Sequence, residues 1–95
     1  MKIKDLLSNE KTVTAIPFFK GNEGTATALK ILQNHQLKKH ITKVPTVLIY
    51  ISGNAVFENE KGVKEILLPG EFIKIEPMVK YWVTAKDDSS FLLIK

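Results

Sequence analysis

Ninety-five residues, 44% of them hydrophobic, suit one domain with one core spanning residues 1–95; they exclude a disordered chain, and no run nears the ~18 apolar residues of a membrane helix. The net charge of +4 comes from 14 basic residues, all lysine and scattered from Lys2 to Lys95, so the arginine fork favoured for phosphate and base recognition is missing and no nucleic-acid partner is expected. Zero cysteines exclude disulfides and thiolate metal sites, and MKIKDLLSNEK lacks the apolar stretch of a secretory signal, so a cytoplasmic protein is expected.

In chain order, Ile3, Leu6 and Leu7 share one face at helical spacing and predict a short N-terminal helix of at most two turns. Thr12–Phe19 is β-rich, but Pro17 has no N–H to donate, which predicts an edge strand. Gly21-Asn22-Glu23-Gly24 is a turn, and Thr25–Leu32 follows as a strand. Pro45 breaks the chain before the apolar strand Val47–Ser52. Turns at Gly53-Asn54, Glu60-Lys61-Gly62, Pro69-Gly70, Pro77-Met78 and Asp87-Asp88-Ser89 then separate strands Ala55–Glu58, Val63–Leu68, Glu71–Glu76, Lys80–Ala85 and Ser90–Ile94. Short strands with regular turns predict an all-β sandwich or barrel.

Two strands are apolar on both parities, VLIYI at 47–51 and FLLI at 91–94. One sheet of a small domain covers one face of such a strand, so something else must cover the other. A second subunit is the expected cover, giving a homodimer.

The familiar catalytic signatures are absent. No serine sits in a G-x-S-x-G elbow, and the glycine turn at 21–24 lacks the Lys-Ser/Thr of a phosphate loop. Glu71 and Glu76 are five apart, hence on opposite strand faces, and make a poor acid/base pair. Glu71 follows a turn and is read as structural.

The run from Asn34 to Ala85 carries a family resemblance. Anchored on Gly53, the pattern G-x5-H-x-H-x(3,4)-E-x6-G falls on Asn34, His40, Thr42, Thr46 and Gly53. Anchored on Gly70, the pattern G-x5-P-x-G-x2-H-x3-N falls on Gly70, Glu76, Met78, Tyr81 and Ala85. These spacings resemble the two motifs of the cupin superfamily, in the form of a small single-domain bacterial cupin. The resemblance implies a small jelly-roll β-barrel, the cupin double-stranded β-helix, with a pocket at one end, and it agrees with the expected homodimer.

The family's metal is held by three His and one Glu, whereas this chain offers one imidazole, two threonine hydroxyls and a phenol at those positions. Neutral hydroxyls are poor ligands for divalent transition metals, and Lys38, Lys39 and Lys43 place positive charge around His40. The expectation is therefore no bound metal and no cofactor. By parity with the family's ligands, His40, Thr42, Thr46 and Tyr81 point into the barrel. They form either a mutually satisfied hydrogen-bond cluster or a pocket that binds a small neutral or anionic ligand. The function expected from this is an uncharacterised metal-free cupin-domain protein binding a small ligand in the barrel interior. The alternative is a metal-independent isomerase acting on a sugar or keto acid, with His40 as base and Tyr81 as acid; no catalytic residue is otherwise assigned.

Overall fold

The computed structural model describes residues 2–7 and 11–95. Nine strands follow in order: β1 Val13–Lys20, β2 Thr25–Ile31, β3 Gln36–His40, β4 Thr46–Ser52, β5 Ala55–Asn59, β6 Lys64–Leu67, β7 Phe72–Ile75, β8 Tyr81–Ala85 and β9 Ser89–Ile94. They form a five-stranded sheet, β1-β2-β9-β4-β7, facing a four-stranded sheet, β3-β8-β5-β6. Every pairing is antiparallel. This is the expected all-β jelly roll.

Two differences from the sequence reading stand out. The predicted N-terminal helix is a single 3-10 turn over Ile3–Leu6. An i, i+3 pair satisfies both helix types, so the spacing of Ile3 and Leu6 could not separate them. β3 has no counterpart in the reading, because QLKKH buries only Leu37 and shows no alternation. Pro17 lies as expected on an edge strand, beside a bulge between Pro17 and Phe19.

The core forms where the inner faces meet. The larger sheet contributes Leu29, Leu48, Tyr50 and Phe91, and the smaller one Phe57, Tyr81 and Val83, all at most 4% exposed. Each such side chain stabilises the fold by roughly 1.5–3 kcal/mol relative to exposure.

The outer faces differ in chemistry. On the smaller sheet, Gln36 pairs with Thr84, and Glu58 pairs with both Trp82 and Lys64. Gln36 donates to the Thr84 hydroxyl at 3.0 Å, and Lys39 Nζ lies 5.5 Å from the Trp82 ring centroid. That face is solvated. On the larger sheet, register aligns Ile16, Ala28, Leu92, Ile49 and Phe72 in one row across all five strands. A second row runs Phe19, Ala26, Ile94, Val47 and Lys74. A third row on the same face, Thr14, Lys30, Ser90 and Ser52, is polar, so the apolar part of this face is confined to the first two rows.

Candidate functional site

One end of the barrel is closed by the loops 41–45, 60–63 and 76–80. His40 ends β3 at this mouth. Leu37 pairs with Val83 but His40 pairs with Tyr81, so three steps on β3 oppose two on β8. The extra residue is a bulge, which resets the side-chain alternation. Without it, a shift of three would put His40 on the opposite face from Leu37. With it, His40 joins Tyr81 on the inner face, ring centroids 6.2 Å apart.

Tyr81 lies deeper. It is 4% exposed and stacks on Phe57 at 5.8 Å, so three rings run from the core to the exposed imidazole. Burial raises the pKa of its phenol, so Tyr81 is a neutral hydroxyl at physiological pH.

Thr42 and Thr46 are both buried and turn toward each other. Their hydroxyls lie 2.9 Å apart, and each reaches the carbonyl of Val44, at 2.9 Å from Thr42 and 3.1 Å from Thr46. Two protons serve three contacts, so at any moment two are hydrogen bonds and the third is a contact of oxygens. The pair folds loop 41–45 around its own carbonyl. Of the four residues read from the sequence, the fold thus makes two pairs, His40 with Tyr81 and Thr42 with Thr46.

The other loops lock to this one. Met78 N–H donates to the Thr42 carbonyl at 2.8 Å. Glu60 N–H donates to the Lys80 carbonyl at 2.9 Å, while Lys80 N–H donates back to the Glu60 carboxylate. Lys61 bridges Glu76 at 2.8 Å, an exposed pair worth ~0–1 kcal/mol. Neither the Glu60 clamp nor the β3 bulge carried a sequence signal, since both depend on loop conformation.

Backbone conformation accounts for the motif spacing. Asn34, Gly53, Gly70 and Met78 all hold positive φ, at 65°, 103°, 87° and 66°. These are the positions where the two motifs place glycine. Asn adopts this conformation readily and Met only at a cost. Gly53 is doubly constrained, because a Cβ there would meet the Asp88 carbonyl at 2.4 Å.

The donor set does not fit a divalent metal. Among the described residues no three His, Cys, Asp or Glu gather at one place. At the mouth, the threonine oxygens are engaged with Val44 and Tyr81 keeps its proton, which leaves one imidazole where three or four ligands are needed.

The far end of the barrel holds a different polar group. Tyr50 is fully buried and its hydroxyl has no partner. The neighbouring Ser89 hydroxyl donates to the Asp87 carbonyl at 2.8 Å and accepts from Asn54 N–H at 3.1 Å. Desolvation raises the Tyr50 pKa, with Ser89 opposing the shift and Asp87 adding to it.

No protein-family model and no curated protein matches the sequence. Solved structures do. A cupin superfamily protein from Desulfitobacterium hafniense superposes with a TM-score of 0.85 at 13% identity, covering 98% of this chain and 84% of that one. A cupin-2 domain protein from Shewanella frigidimarina gives 0.80 at 16%, covering 100% and 92%. An RmlC-like cupin with a double-stranded β-helix fold from Methanocaldococcus jannaschii gives 0.78 at 14%, covering 94% and 84%. Sheet order, the positive-φ turns at the motif positions and these superpositions agree: the chain has the cupin fold.

Proposed function

We propose that this chain is a small-ligand binding module that works without a metal, taking a neutral or anionic molecule at the barrel mouth against His40 and Tyr81. The observation that carries the reading is the β3 bulge, which turns the His40 ring onto the inner face beside the buried Tyr81 phenol. A polar edge above an aromatic floor, with few converging groups, is the usual form of a binding pocket. Thr42 and Thr46 belong to this site as the pair that fixes its rim, their hydroxyls joined by a hydrogen bond of 2.9 Å. Proton transfer by the same two residues is less well supported. An isomerase would ask Tyr81 to release its proton, and burial makes the phenol a weaker acid.

The test is thermal stability of the wild-type protein against a panel of small carboxylates, keto acids and neutral sugars. A binding compound raises Tm in the wild type, and the shift disappears in both His40→Ala and Tyr81→Phe. A shift retained in both variants places the ligand elsewhere and overturns the reading.

A further inference from the structure

We propose that the mouth end of the barrel is a docking surface for an anionic lipid bilayer. The apolar tips of its loops enter the headgroup region, and its lysines lie against the lipid phosphates. Loops 41–45, 60–63 and 76–80 meet at this end, and each carries an exposed apolar side chain. Ile41, Val44, Val63 and Met78 are between 41% and 64% exposed. The loops are held together: Met78 N–H donates to the Thr42 carbonyl, and Glu60 and Lys80 are joined through backbone and carboxylate. A fixed rim of apolar side chains turned to water marks an interaction surface.

Charge follows the same polarity. Lys39, Lys43, Lys61 and Lys80 stand exposed around the rim, against the carboxylates Glu60 and Glu76. Glu76 is bridged by Lys61, and Glu60 accepts from the Lys80 N–H. Among the described residues no carboxylate forms an ion pair with Lys39, Lys43 or Lys80. The β1–β2 loop at this end, 21–24, adds Glu23 near Lys20 and leaves the balance unchanged. The opposite end of the barrel is the internal comparison. Its loops 32–35, 53–54, 68–71 and 86–88 carry Lys86 against Glu71, Asp87 and Asp88, and one exposed large apolar residue, Leu68. Apolar tips and positive charge therefore coincide at one pole, the arrangement an anionic surface attracts.

Composition favours a bilayer over a protein or a nucleic acid. Protein interfaces are enriched in Trp, Tyr and Arg and depleted in Lys, whereas loops 41–45, 60–63 and 76–80 hold lysines and no Trp, Tyr or Arg. The arginine fork that reads nucleic acid is absent from the whole chain. Lysine suits a lipid surface, because its apolar stem lies along the boundary while the ammonium stays with the headgroups. Such docking is shallow and reversible, since short side chains reach only the headgroup boundary and need the lysines as a second signal. The surface is made by the outward side chains of the rim, so it stands whether or not a small ligand enters against His40 and Tyr81.

Co-sedimentation of the purified protein with vesicles tests this without any small ligand. Vesicles of equal parts phosphatidylglycerol and phosphatidylcholine should bind at least ~10-fold more tightly than phosphatidylcholine alone, and added salt should release the protein. Ile41→Asp and Met78→Asp should each weaken binding at least ~10-fold with unchanged circular dichroism. Aspartate accepts the positive φ of position 78, so that variant folds even if Ile41→Asp does not. Lys43→Glu should weaken binding by ~10-fold or more, since it reverses a charge at the surface. Leu68→Asp, at the opposite pole, should bind as the wild type does. The chain has no cysteine, so an environment-sensitive dye on Met78→Cys reports that side chain alone. Its emission should shift to the blue on the mixed vesicles, and the same dye on Leu68→Cys should not respond. Wild-type protein that stays in the supernatant overturns the proposal. So does binding that survives both aspartate variants, which is adsorption through the lysines at large. A protein that ignores vesicles and self-associates until Met78→Asp restores the monomer gives the rim to a second copy, and overturns it equally.

Discussion

Met78 donates its N–H to the carbonyl of Thr42 at 2.8 Å while holding a φ of 66°. The hydrogen bond ties loop 76–80 to loop 41–45 across the mouth, and the backbone conformation that permits it is one a methionine adopts at a cost. Left-handed backbone costs an L-residue ~1–2 kcal/mol, against a further ~0.5–1 kcal/mol of chain entropy lost when a glycine is fixed. Met78→Gly should therefore stabilise the protein by ~0.5–1 kcal/mol, a rise in Tm of ~3–6 °C. The side chain is 64% exposed, so little packing is lost. Met78→Val should move Tm the other way. Paired thermal melts of the two variants check the sign.

Gly53 carries two constraints where Gly70 carries one. Both hold positive φ, but a Cβ at Gly53 meets the Asp88 carbonyl at 2.4 Å and one at Gly70 meets nothing within 4 Å. Gly70→Ala should cost ~1 kcal/mol from backbone strain alone. Gly53→Ala should cost at least ~2–3 kcal/mol, because the β8–β9 loop must also move. Urea denaturation of both variants measures the difference. Equal losses would show that the loop gives way freely.

The Thr42–Thr46 pair is read best through a double-mutant cycle. Thr42→Val and Thr46→Val each keep the shape and remove one hydroxyl. Either single change leaves the Val44 carbonyl with one donor, since both hydroxyls reach it. Each should cost ~1 kcal/mol. Removing both strips the carbonyl of its side-chain donors, so the double variant should lose more than the sum, with a coupling of ~0.5–1 kcal/mol. Strict additivity would mean that water replaces the missing donors at no cost.

How much of this was legible in the chain depends on whether the signal is local. Val47–Ser52 and Ser90–Ile94 announce themselves by composition, and the Pro17 edge by a missing N–H. The glycine spacing marked the turns, and Asn34 was readable there because asparagine tolerates positive φ. Met78 was readable as a turn residue at a motif glycine position, though the chemistry of methionine does not itself favour that conformation. β3 hid because QLKKH packs a single residue inward. The pairing of His40 with Tyr81 follows from a bulge that no spacing rule on the strand foretells. The threonines could be assigned to the mouth but not to each other, because their bond needs the loop around Val44 to close.

Tyr50 tests the cost of a buried hydroxyl without a partner. Its neighbour Ser89 donates to Asp87 and accepts from Asn54, and the phenol makes no well-formed hydrogen bond. Tyr50→Phe should be neutral or stabilising by up to ~1 kcal/mol, whereas deleting a bonded tyrosine hydroxyl normally costs about that much. Ser89→Ala, which removes a donor and acceptor in use, should destabilise. Chemical denaturation of the two variants separates the cases, and a loss in Tyr50→Phe would reveal a partner for the hydroxyl.

Both tyrosines of the chain have folded-state pKa values raised above the ordinary 10.0, first by desolvation in each case. For an acid, a raised folded pKa means that the unfolded chain gives up its proton first. The resulting stability is fully present below pH ~10, the unfolded value, and is lost as pH climbs through the folded values. Stability should therefore be insensitive to these groups between pH 7 and 9, taken as a rough window, and fall in alkali. Lysines titrate in the same range, so the difference between proteins is the measurement. Tyr81→Phe should show a shallower alkaline decline than the wild type, and absorbance near 295 nm should show phenolate appearing together with unfolding rather than before it. Phenolate forming in the intact fold would mean that the mouth admits water, and hydroxide, to the Tyr81 oxygen more freely than its 4% exposure implies.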